Sequence, residues 1–127
     1  MINNNEFEQW LNGIIEEKFP VKGNAICFNL YEEENDYTWA VQMISAESYD
    51  EENDDWACNE VFSTGDNLFV FELEEDWEDV AEEFCTTVKQ YLKEGKNKDL
   101  LTQYDAIAAG FVDGDLETIY TKPHDQY

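Results

Sequence analysis

The sequence predicts an α+β domain: a mostly antiparallel sheet of about six strands with two helices packed on it, in the order α-β-β-β-β-α-β-β. Three observations lead there. Apolar residues recur at helical spacing over 7–19 and again over 77–92. Between these stretches, two runs alternate apolar and polar residues as half-buried strands do. The runs are joined by short polar connections, which make neighbouring strands antiparallel. At 127 residues the chain fits a single domain, residues 1–127.

In the first stretch Phe7, Trp10, Leu11, Ile14, Ile15 and Phe19 form one helical stripe. Asn5 with Glu8 gives a capping-box-like start, and Pro20 stops the helix. After Gly23-Asn24, residues 25–31 put Ile26, Phe28 and Leu30 on one face of a strand. Residues 37–45 do the same with Trp39, Val41 and Met43. The connection Glu32-Glu33-Glu34-Asn35-Asp36 makes these two a hairpin.

Residues 46–55 read as a loop. Residues 56–62 and 68–73 read as a second hairpin around Ser63-Thr64-Gly65-Asp66-Asn67. Within it, Leu68-Phe69-Val70-Phe71 is apolar on both faces, as in a central strand.

A second helix carries the stripe Trp77, Val80, Ala81, Phe84, Cys85, Val88, Tyr91 and Leu92, with Asp76 as N-cap and Gly95 at C′. Its acidic first turn and its Lys89 and Lys93 match the helix dipole. Two readings compete over 99–111. Leu100, Leu101, Tyr104, Ile107, Ala108 and Phe111 fit a helix. Asp113-Gly114 is a hairpin turn that demands strands on both sides. The turn favours a short helical turn near 99–103, then strands near 105–112 and 116–121. Residues 122–127 read as a loose tail.

Charge is the dominant compositional fact. The chain has 31 Asp and Glu against 7 Lys and no Arg, a formal net charge of −24. A small soluble domain is comfortable at a magnitude of about 2–8. Residues 32–83, 52 in all, hold 20 of the 31 acids and no Lys, Arg or His. Such a field repels itself within the fold and attracts cations and basic surfaces. It disfavours nucleic acid and anionic membranes as partners. Without Arg there is no guanidinium to grip a phosphate or carboxylate with two hydrogen bonds. No apolar run approaches the about 20 residues that span a bilayer, and the N-terminal stretch lacks the basic and apolar regions of a signal peptide.

The residues that carry chemistry elsewhere are sparse here. Cys27, Cys58 and Cys85 are odd in number, widely spaced and set in apolar patterns, which points to free thiols in a reducing cytosol rather than a disulfide or zinc site. The one histidine, His124, lies in the C-terminal tail, so a Ser-His-Asp or Cys-His site is not expected. Carboxylate pairs suited to a small hydrolase arise by chance among so many acids and carry no signal. A calcium loop starting at Asp50 has Glu52 and Asp54 in place, but Asp55 stands where Gly is needed and Val61 where Glu is needed. The expectation is a non-enzymatic binding protein with no cofactor and no metal. Lys89, Lys93, Lys96 and Lys98 form its one basic cluster, read as dipole compensation; whether the chain is a monomer or a homodimer stays open.

In size, acidity, α+β pattern and aromatic–acidic loops, the whole chain resembles the immunity proteins of bacterial toxin systems. That resemblance rests on no specific motif. It implies a cytoplasmic inhibitor that occludes a cognate basic toxin, such as a nuclease. The expected contact residues are Glu32, Glu33, Glu34, Asp36, Glu47, Asp50, Glu51, Glu52, Asp54 and Asp55 as carboxylates, with Tyr49 and Trp56 as apolar anchors, and the interface is placed at 47–56, the acidic stretch whose composition no structural reason explains. A DNA-mimic or anti-restriction protein uses the same physics and is the alternative.

Overall fold

A computed structural model describes residues 2–18, 23–50, 52–112 and 114–122, without the side chains of Lys18 and Asp54. The architecture is α+β, with six strands in one mostly antiparallel open sheet. The elements run α1 (Asn4–Lys18), β1 (Ala25–Glu32), β2 (Thr38–Ala46), a 3-10 helix (Asp54–Cys58), β3 (Glu60–Ser63), β4 (Phe69–Glu72), α2 (Trp77–Glu94), α3 (Lys98–Leu101), β5 (Ala106–Phe111) and β6 (Glu117–Thr121). The order across the sheet is β3-β2-β1-β5-β6, with β4 also on β2. The competing readings of 99–111 resolve into α3 and then β5, as the Asp-Gly signal requires; Gly114 N–H donates to Phe111 O at 2.9 Å across that turn. Asp113 itself, like Phe19, Pro20 and the tail 123–127, lies outside the described residues.

β1 is the central strand. It pairs antiparallel with β2 from Ala25↔Ala46 to Glu32↔Trp39, and parallel with β5 from Ala25↔Ala106 to Leu30↔Phe111. A parallel pair needs a crossover, and α2 provides it, returning the chain from the end of β4 towards the start of β5.

The strand alternation sorts two faces. Ile26, Phe28, Leu30, Trp39, Val41, Met43, Ile107 and Ala109 pack against α1 and α2. Ala25, Cys27, Ile44, Ala46, Ala106 and Ala108 face the other way and are covered by Trp56, with Tyr49, Ala57 and Leu116 packed beside it. The two helices lie side by side and run in the same direction. Ile2 N–H donates to Glu83 at 3.1 Å, the Tyr91 hydroxyl donates to Asn12, and Lys96 pairs with Glu16 at 3.0 Å.

Several expectations need correction. The second hairpin does not form: β3 and β4 both pair antiparallel with β2, β3 against 44–46 and β4 against 38–41. They are two pieces of one edge strand, interrupted by residues 64–68, so β4 is not central and its Val70 is 50% exposed. Polar turn residues at 63–67 signalled a reversal, but here they bulge the edge and let the same direction resume. Trp56 lies in the 3-10 helix, not a strand. The N-cap of α1 is Asn3, whose Oδ1 accepts from Glu6 N–H at 3.1 Å, rather than Asn5. Gly95 follows α2 with φ −66°, outside the left-handed region. Its glycine has a steric reason instead, because a Cβ there would lie 2.6 Å from the Tyr91 ring.

The two helical glycine positions therefore carry opposite expectations. Gly95→Ala should lower stability by about 1–3 kcal/mol through overpacking against Tyr91. Gly13→Ala, with nothing within 4 Å of the added Cβ, should raise it by up to about 1 kcal/mol. Urea unfolding midpoints check both; a Gly95→Ala protein as stable as the parent would remove the steric account.

Candidate functional site

β1 and β2 order the acidic residues into two groups at opposite ends. Glu32 closes β1, and Glu33, Glu34 and Asp36 fill its connection to β2; all four are exposed. The connection is closed by Glu33 N–H to Thr38 O at 2.9 Å and Thr38 N–H to Asn35 O at 3.1 Å. Between them Tyr37 takes φ 59°, a left-handed conformation that an L residue adopts at a cost of about 1–2 kcal/mol. Glu47, Asp50, Glu52 and Asp55 follow the far end of β2 and are also exposed. The 8 residues of β1 separate the two groups by about 25 Å at the ordinary strand rise. Glu51 lies outside the described residues, and of Asp54 only the backbone, in the 3-10 helix, is described.

The loop following β2 has structural work of its own. Asp50 Oδ1 accepts from Glu52 N–H and Asn53 Oδ1 from Asp55 N–H, each at 2.9 Å, so these side chains build the turns. Trp56 is only 4% exposed, and Tyr49 packs edge-on against it at 5.3 Å. The Tyr49 hydroxyl lies 3.2 Å from Thr118 Oγ1. Together they seal the second face of the sheet. A ring buried to that degree has no area left for a partner, so the anchoring role expected of Trp56 does not fit, and half-buried Tyr49 offers little.

Three of the five exposed large apolar residues lie at the other end, while Val61 of β3 and Val70 of β4 lie along the edge strand. Trp77 is 54% exposed, Val112 49% and Tyr37 48%. Trp77 belongs by spacing to the α2 stripe, and sequence reasoning placed it in the core. Yet it is the first residue of the helix, and burial of the stripe begins only at Val80. The available signal was its setting, Glu74-Glu75-Asp76 before it and Glu78-Asp79 after it. Leu73 N–H donates to Tyr37 O at 2.9 Å, and Trp39 Nε1–H to Leu73 O at 2.9 Å, which ties the hairpin connection to the entry of α2.

Electrostatically this end is one-sided. The described lysine side chains sit on the second half of α2 and beyond it. Lys89 pairs with Glu117 at 3.4 Å, Lys96 with Glu16 at 3.0 Å and Lys98 with Asp99 at 3.6 Å. Hydrogen bonds from Lys96 and Asn97 hold the Glu16 carboxyl below its usual range. Near the α2 entry, Glu75 buries one carboxylate oxygen that has no hydrogen-bond partner among the described residues.

Cys27 and Cys85 are buried and Cys58 is exposed, and none of the three is in a disulfide; burial pushes the Cys85 thiol up to about 12. Among the described residues no group of three or more His, Cys, Asp or Glu is placed to hold a metal ion, and no helix is long and apolar enough to cross a membrane. Comparison with protein-family models, with curated proteins and with solved structures gives no match.

The two tryptophans should separate cleanly. Trp56→Ala should cost about 3–5 kcal/mol of stability as a buried aromatic, whereas Trp77→Ala at the exposed rim should stay within about 1 kcal/mol. Chemical denaturation of both variants checks this. A comparable loss at Trp77 would make it a structural residue.

Proposed function

We propose that this chain is a non-enzymatic acidic binding protein that neutralises a basic partner protein, in the manner of a cytoplasmic immunity protein occluding a cognate bacterial toxin. The observation that carries the reading is the end of the sheet where Trp77, Tyr37 and Val112 stand exposed among Glu32, Glu33, Glu34, Asp36, Glu74, Asp76 and Glu78. Aromatic area ringed by charge is the composition of an interface hot spot. The helix dipole favours Asp76 and Glu78 at the start of α2, but no ion pair among the described residues offsets Glu32, Glu33, Glu34 and Asp36 beside the uncovered rings, whereas a basic surface would offset both at once. The mechanism is occlusion: carboxylates cover the partner's Lys and Arg, and the rings exclude water from those pairs. Opposite fields would raise the association rate, and added salt would lower it.

Glu47, Asp50, Glu52 and Asp55 keep a smaller part. Exposed at the far end of β2, they add to the long-range field rather than to the contact. That placement also favours a single partner over nucleic-acid mimicry. A mimic needs carboxylates strung along a surface like phosphates, and here two acidic groups are held apart by the length of the sheet.

Two charge-reversed proteins test the reading by pull-down of basic proteins at low and high salt. Reversing Glu32, Glu33, Glu34 and Asp36 to Lys should abolish retention of the partner. Reversing Asp50, Glu52 and Asp55 should slow association several-fold and leave dissociation nearly unchanged. If no basic protein is retained at low salt, or if the first variant binds as the parent does, the reading is wrong.

A further inference from the structure

The exposed end holds a specific cleft. Leu30, Tyr31 and Glu32 at the end of β1, Phe111, Val112 and Gly114 at the end of β5, and Trp77 of α2 line a space of about 380 Å³. Its origin lies in the topology. β1 and β5 are adjacent and parallel. Beyond their carboxyl ends the chain turns to β2 on one side and to β6 on the other. Because both strands continue into hairpins that lead away to opposite sides of the sheet, no connection crosses between their carboxyl ends, and a gap is left there.

The walls are mostly aromatic and apolar. Phe111 stands edge-on to Trp77 at 6.1 Å and to Trp39 at 5.5 Å. Trp39 is in turn fixed by its bond to Leu73 O. Gly114 lies at the mouth, where a Cβ would rest in ordinary contact with Phe111 at 3.8 Å and Trp77 at 4.0 Å, so that a longer side chain there would reach over the cleft. The rim is acidic: Glu32 lines the cleft, Asp76 and Glu78 flank Trp77 in sequence, and Glu33, Glu34 and Asp36 follow Glu32. The amino end of α2 alone would favour an anion, but these carboxylates reverse the sign. An anion is repelled, and a neutral apolar group leaves Glu32 unused. The fitting occupant has an apolar stem and a flat cation that stacks on an indole, which is arginine; the more strongly hydrated, compact ammonium of lysine stacks less well.

We propose that this cleft takes an arginine side chain of the basic partner, with its guanidinium stacked on Trp77 and paired with Glu32. The assignment rests on the basic-partner reading above and names the contact at its centre.

The probe is a short alternating Gly-Arg peptide, with Gly-Lys and Gly-citrulline peptides as controls, titrated at low salt into the ¹⁵N-labelled protein. The Gly-Arg peptide should shift the Trp77 indole and the Gly114 amide saturably. The lysine peptide should bind several-fold more weakly there, and the uncharged citrulline peptide should leave both signals in place. Trp77→Ala and, independently, Gly114→Leu, which fills the cleft without altering charge, should each weaken the Gly-Arg peptide by about fivefold or more. The unmoved signals of buried Trp39 and Trp56 report an intact fold. The assignment is overturned if the Gly-Arg peptide binds with Trp77 unmoved, if both variants bind as the parent does, or if either control peptide binds equally well. Binding confined to 47–55 would sink the cleft alone; absence of binding anywhere would sink the basic-partner reading with it.

Discussion

Everything in this fold depends on the packing around one ring. Phe7 of α1 is fully buried and stands edge-on to Phe28 of β1, Phe69 of β4, and Phe84 and Tyr91 of α2, at 5.5–6.2 Å. Burying such a side chain contributes about 1.5–3 kcal/mol, and each favourable ring pair adds about 0.5–1.5 kcal/mol. The interaction joins both helices to the middle and the edge of the sheet. A chain with a net charge of −24 needs such a centre, because its surface pushes outward at every ionic strength a cell provides.

With the centre apolar, the charge is distributed by the ends of the elements. Each end of the β1–β2 hairpin takes one acidic group, and the lysines gather on the later turns of α2, where the helix dipole favours them. The two acidic ends are not equivalent. One is folded over the second face of the sheet and uses Trp56 and Tyr49 to seal it. The other leaves Trp77, Val112 and Tyr37 in solvent and holds a cleft between parallel strands. The second end has the character of a surface shaped for something outside the molecule.

Much of the fold was legible because it is local. The stripes of α1 and α2, the alternation of β1 and β2 and the turn signal before β6 each report on neighbouring residues, and the elements they announce are present. The β3–β4 relation was not legible. Whether a polar turn reverses a strand or merely interrupts it is decided by which partner strand lies alongside, and that information sits in β2 rather than in the turn. The exposure of two tryptophans was not legible, for a related reason. Composition picked out Tyr49 and Trp56 as aromatics beside acids, yet burial is a property of what packs over a residue. Trp77 matched a buried stripe by period, but burial of the stripe begins only at Val80, and no periodicity marks where burial begins.

The central claim is that the carboxylates beside Trp77 are held for a partner and against the stability of the free protein. Urea unfolding of the unbound protein, with Glu33, Glu34 and Asp36 replaced by Lys, tests it most directly when run at about 10 mM and at about 1 M salt, where the screening length falls from about 30 Å to about 3 Å. The account predicts a variant more stable than the parent at low salt, with the difference fading at high salt. A variant equally stable or less stable at low salt would mean that these carboxylates serve the fold itself, and the claim would fall.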